Sequence, residues 1–91
     1  MTKIEIVREI SSKTGLGTKE VMVIVESLMD TIKTSIINGD EVFLRGFGSF
    51  IIKHRAEKTA RNISKNTTVI IPAHDVPAFK PAKEFMDQVK G

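Results

Sequence analysis

The chain contains no cysteine, which excludes a disulfide framework, a thiolate metal ligand and a cysteine nucleophile together. No apolar run approaches the roughly 18 residues that a membrane span needs, and the N-terminal stretch lacks the pattern of a secretory signal peptide. Internal repeats and low-complexity tracts are absent too. At 91 residues the chain is one domain's worth of sequence, with no room for a separate catalytic domain. A domain this small buries a modest share of its surface, so oligomerisation is the stabiliser to look for once disulfides and thiolate-bound metal are gone.

Converging catalytic groups are missing as well. His54 and His74 are far apart and form no ligand-spaced pair, and both read as surface residues. Ser11, Ser12 and Ser49 lack a nucleophile-elbow context, while Gly15-Leu16-Gly17 lacks the preceding strand of a phosphate-cradling loop. An enzyme, a cofactor, a metal site and a small-molecule substrate are therefore not expected.

What the chain does have is an uneven distribution of charge. The net charge is +3, yet residues 1–41 hold five Lys/Arg against seven Asp/Glu, and residues 66–91 hold three of each sign. Residues 42–65 hold six Lys/Arg against one acid. The positive excess lies in one middle segment, which points to an anionic partner for that segment.

Periodicity divides the chain into an α+β order. Thr2 and Glu5 fit a capping box, and Ile4, Val7 and Ile10 recur at helical spacing until Gly15. Thr18 is placed to cap a second helix, in which Val21, Val25, Leu28, Met29, Ile32 and Ile36 keep an apolar stripe up to Asn38-Gly39. The period then changes. Val42-Phe43-Leu44 and Phe50-Ile51-Ile52 read as strands around Gly46-Phe47-Gly48, and residues 53–72 as one long hairpin closing at Val69-Ile70-Ile71. So little apolar content leaves such a ribbon marginal alone in water and mobile until bound. Val76 to Pro81 reads as an extended, rigid connector, and Lys83 to Lys90 as a short helix docking through Phe85, Met86 and Val89.

The hairpin concentrates Lys53, Arg55, Lys58, Arg61 and Lys65, the residue types that neutralise phosphates and release counterions. An ordinary solvated loop has the same pattern, so both readings stay open. Ideal alternation puts Lys53, Arg55 and Arg61 on one face and Lys58 on the other, so a bulge or strong twist is expected to aim them together. Ile63 is an isolated apolar residue at the polar tip, either a wedge between base pairs or a chance exposure. Phe47, Phe50 and Phe79 sit beside apolar neighbours and away from the basic run, which suits core or interface rather than base stacking. Gly46 and Gly48 bracket a turn whose amides could meet a phosphate, or simply permit the turn.

Gly46-Phe47-Gly48-Ser49-Phe50, Arg61-Asn62, Ile71-Pro72-Ala73 and Val76-Pro77-Ala78-Phe79-Lys80-Pro81 resemble the bacterial histone-like HU/IHF family, in order and over essentially the whole chain. HU and IHF are themselves standard instances of minor-groove architectural proteins, so the bending mechanism comes from this resemblance and not from composition or spacing. The resemblance implies an intertwined dimer of single-domain chains; a homodimer is the expectation here, with a heterodimer as the alternative. In each chain residues 1–41 would form a helical dimerisation base, 42–52 and 72–81 a saddle, 53–71 a flexible arm and 82–91 the closing helix. It implies DNA contacts at Lys53, Arg55, Lys58, Arg61 and Asn62 along the arm, backbone contacts at Lys80 and Lys83, and Phe47, Phe50 and Phe79 in the dimer core; Ile63 and Lys65 join the expected DNA contacts from the tip pattern and the basic run.

Four positions depart from the family pattern. Ile63 replaces the intercalating proline, Asn66 the tip glycine, Ala82 the glycine before Lys83, and Met86 a residue that is basic in some members. The expected function is a cytoplasmic, nucleoid-associated protein that binds and bends double-stranded DNA with little sequence preference, favouring bent, nicked or flexible sites. The alternatives are an IHF-like sequence-preferring bender, an RNA preference, or a module whose arm adds to a partner's sheet edge.

Overall fold

The computed structural model describes residues 1–62 and 64–91. Ile63, with its expected wedge role, and the side chain of Asn62 lie outside the described residues. Helix α1 (Lys3–Thr14) starts at a complete capping box: the Glu5 N–H donates to Thr2 Oγ1 at 3.4 Å and the Thr2 N–H to Glu5 Oε1 at 3.3 Å. It ends at Gly15, whose φ of 77° lets its N–H reach the Ser11 carbonyl at 2.9 Å. Helix α2 (Thr18–Ile37) begins one residue earlier than the sequence suggests. Gly17, not Thr18, takes the extended cap conformation, and no side chain caps the helix; glycine is tolerated there, and Glu20 in the first turn complements the helix dipole. Gly39, at φ 85°, turns the chain out of α2.

Strands β1 (Val42–Leu44), β2 (Gly48–Arg55) and β5 (His74–Pro81) form an antiparallel sheet in the order β1-β2-β5. Strands β3 (Lys58–Asn62) and β4 (Thr67–Ile71) form a second, two-stranded ribbon. Just before β1 begins, the Ile52 N–H donates to Glu41 Oε2 at 2.9 Å, so a side chain extends the pairing along β2 beyond Val42. The connector expected at Val76–Pro81 is a paired strand, with Pro77 opposite Ile52 and Pro81 opposite Gly48. Proline is admitted because β5 is an edge strand, and two prolines four residues apart turn their missing N–H to the same, unpaired side.

A single register runs through both sheets. Gly48 faces Pro81, Arg55 faces His74, Lys58 faces Ile71 and Asn62 faces Thr67. The ladder breaks where Ala56-Glu57 lies across from Pro72-Ala73, two residues on each side, and Pro72 has no N–H to give. The long hairpin thus starts at the sheet itself and carries a matched interruption partway along.

Helix α3 (Lys83–Lys90) is held at its start by the Ala82 N–H, which donates to the Phe47 carbonyl at 2.9 Å. Among the described residues only Val7 and Val21, where α1 meets α2, are fully buried hydrophobics. Val23, Ile24 and Leu28 of α2 are more than half exposed. The chain exposes 7570 Å², against about 5,300 Å² for a compact monomer of this mass. Its radius of gyration is 18.7 Å, against about 12 Å for a compact domain of this length. One copy leaves both an extended ribbon and an uncovered apolar face.

Candidate nucleic-acid interface

The β2–β5 and β3–β4 ribbon sets the positions of the basic side chains. Lys53 and Arg55 lie at the far end of β2, Lys58 and Arg61 in β3, and Lys65 in the turn before β4; all are exposed. Among the described residues the strand pairs keep one-to-one register, and the ladder is interrupted between Arg55 and Lys58. The interruption has equal length on both strands, so the pairing register is the same on either side of it; within β2, Lys53 and Arg55 share a face, and within β3, Lys58 and Arg61 lie on opposite faces. At the tip, Arg61 Nη2 donates to Asn66 Oδ1 at 2.5 Å. Asn66 adopts φ 52°, the left-handed conformation for which glycine is the usual residue.

None of the four ion pairs found among the described residues involves Lys53, Arg55, Lys58 or Arg61. Lys3–Glu26, Lys13–Glu9 and Lys33–Asp30 all belong to the helices, and the fourth pair brings His54 Nδ1 to 2.8 Å from Asp75 Oδ1. The last pairing is invisible in the linear sequence, because only the strand register sets His54 opposite Asp75. Among the described residues no three acidic or histidine side chains converge to hold a metal ion.

Lys80, at the opposite end of β5 from the β3–β4 hairpin, and Lys83 line a groove of about 390 Å³ beside the Gly46–Gly48 turn. Arg45 lines it as well, and no carboxylate does. Sequence reasoning missed Arg45 because it stands alone next to a turn, and only the fold brings it to the two lysines. The first turn of α3 carries no side-chain cap, and Glu84 within it offsets the partial positive charge of the helix N-terminus. Gly46, at φ 81°, is required by the turn itself.

Behind the groove, Phe47, Phe50 and Phe79 pack with Phe85, which the sequence pattern assigns only to helix docking. Phe79 lies 5.1 Å from both Phe47 and Phe50 between ring centroids, and Phe47 stacks on Phe85 at 5.6 Å. Phe47 and Phe79 remain 46% and 39% exposed, so the cluster is only partly covered within its own chain.

The sequence matches the family model described as "Bacterial DNA-binding protein" over residues 1–90. It is 44% identical to integration host factor subunit beta of Marinobacter nauticus over 90 residues, covering 98% of this chain and 92% of that protein. It is 38% identical to DNA-binding protein HU of Geobacillus stearothermophilus, covering 99% of this chain and 100% of that protein. The fold superposes on the HU chain of an Anabaena HU–DNA cocrystal structure with a TM-score of 0.93 and 35% identity, covering 98% of this chain and 97% of that one. It superposes on HU from Thermotoga maritima with a TM-score of 0.71 and 27% identity, covering 98% of each chain. The chain belongs to the HU/IHF family of bacterial DNA-binding proteins, which are architectural proteins and not enzymes.

Proposed function

We propose that two copies of this chain form a homodimer that binds double-stranded DNA with little sequence preference and bends it as part of the bacterial nucleoid. The observation that carries this reading is the ribbon. A single strand register projects Lys53, Arg55, Lys58 and Arg61 from the sheet, none of them in an ion pair among the described residues. Cations placed this way exchange condensed counterions for phosphate contacts, lowering the logarithm of affinity by about 0.9 per neutralised phosphate for each tenfold rise in salt. Arg45, Lys80 and Lys83 supply a second set of contacts at the base of the ribbon, so that bent DNA meets more cations than straight DNA.

Dimerisation follows from the incomplete core. An apolar cleft of about 1110 Å³, lined by Met29, Ile32 and Ile36 of α2 and by Phe50, Ile52 and Pro77 of the sheet, stands open in one copy. A second copy would fill it and cover the exposed edges of Phe47 and Phe79, giving a shared aromatic core. In the bound state the arms follow the minor groove. Asn62, Ile63 and Lys65 meet the DNA at the tip, and the Ile63 side chain wedges into a base step, an apolar insertion that costs a few kcal/mol of unstacking. DNA that is nicked, flexible or already bent lowers that cost and binds best.

The test is fluorescence anisotropy with a labelled duplex of about 35 base pairs, intact and nicked, across a salt series, with sedimentation of the free protein alongside. A dimer with a steep negative salt slope and a preference for the nicked duplex is expected. A monomer, or an absence of DNA affinity, would overturn the reading.

A further inference from the structure

One large aromatic side chain lies outside the phenylalanine cluster. Phe43, the middle residue of β1, is 71% exposed, whereas Val42 and Leu44, which point to the opposite face, are half-buried. Among the described residues the ring pairs involve Phe47, Phe50, Phe79 and Phe85, and never Phe43. The register sets Phe43 opposite Ser49, and Ser49 opposite Lys80. These three residues make one row across the sheet, on the face away from Phe50 and Phe79. Phe43 and Lys80 are two strand spacings apart, about 10 Å between their backbones, which a lysine stem and a phenyl ring can span together across one nucleotide. The apolar cleft expected to receive the second copy is lined by Phe50 and Ile52, so Phe43 lies on the sheet face opposite the one proposed for dimerisation.

Phe43 also lines the groove that holds Arg45, Lys80 and Lys83 and no carboxylate. An exposed aromatic ring set among unopposed cations is the combination that binds unpaired nucleic acid, the ring stacking on a base and the cations holding the flanking phosphates. Bases in an intact duplex are stacked on each other and offer no face to such a ring. A gap in one strand frees them.

We propose that Phe43, together with Arg45, Lys80 and Lys83, forms a stacking site for an unpaired DNA base, so that the protein discriminates gapped DNA from intact duplex by contact with the exposed base. The inference rests on the DNA-binding reading above. It adds a contact that flexibility alone does not supply, since a nick without missing bases exposes no unpaired nucleotide.

The test compares the full-length protein with its Phe43→Gln and Phe43→Trp variants on an intact duplex and on the same duplex with a short gap opposite unpaired thymines. Phe43→Gln should lose about tenfold or more in affinity for the gapped duplex, with unchanged affinity for the intact one and an unchanged salt slope. The chain contains no tryptophan, so the indole of Phe43→Trp is a clean reporter; its emission should be quenched by gapped duplex and not by intact duplex, with gap affinity retained. Undiminished gap preference in Phe43→Gln, or equal losses on both duplexes, would overturn the stacking site while leaving the DNA-binding reading standing. Failure of the unsubstituted protein to bind either duplex would overturn both.

Discussion

A methyl group added at Gly48 would meet Phe79 Cζ at 2.5 Å and the Lys80 carbonyl oxygen at 2.6 Å. Neither neighbour can retreat easily, because the Phe79 ring is held between Phe47 and Phe50 and the carbonyl belongs to the adjacent strand. Overpacking of this kind costs about 1–3 kcal/mol. Gly48→Ala should accordingly lower stability by that amount in urea unfolding, and an unchanged midpoint would contradict the packing described. Arg61 governs a different property. It is exposed, bonded to Asn66 and one of the ribbon's cations, so Arg61→Glu should weaken binding to all DNA sequences alike and flatten the salt dependence, as read by anisotropy. Affinity unchanged by the reversal would remove Arg61 from the interface. Both residues show where sequence reading reaches its limit. A basic residue in a basic run is legible, whereas the crowding that forces Gly48 arises from Phe79 and Lys80, distant neighbours delivered by the strand pairing.

The same distinction runs through the elements. Local rules were enough for α1, because its cap, its apolar spacing and its terminating glycine all lie within a few residues of one another. They fell short at Gly17, where the competition between adjacent residues for the cap conformation is settled by the turn from α1. They also fell short at β5, where prolines argue against a strand until the sheet order makes it an edge. The groove of Arg45, Lys80 and Lys83 was legible only in part for the same reason: Lys80 and Lys83 came from the family resemblance, and Arg45 needed the fold. The ribbon of β3 and β4 is a two-stranded element with Val69 47% and Ile70 63% exposed, and ribbons of that kind are marginal alone in water. Amides of β3 and β4 should therefore exchange with solvent far faster than those of β2 in the free protein, and become protected when DNA binds. Protection in the free protein equal to that of β2 would show that the ribbon is stable by itself.

For the whole molecule, the surface in excess of a compact monomer's joins the two halves of the account. Part of it is the apolar face of α2 and the half-covered phenylalanines, which a second copy would bury. The rest is the basic ribbon, for which DNA is the proposed partner. The sequence foreshadowed this division in its charge, with an acidic helical segment, a basic middle and a neutral end. The central claim is that the dimer bends DNA, and it is tested most directly by energy transfer between dyes on the two ends of a duplex of about 35 base pairs. Its unbent ends lie about 120 Å apart, at about 3.4 Å per base pair, beyond efficient transfer. Transfer should rise as the protein saturates the duplex, and rise less with Ile63→Ala at equal saturation. Saturation by anisotropy with transfer unchanged would mean that the protein binds DNA without bending it, and would contradict the account.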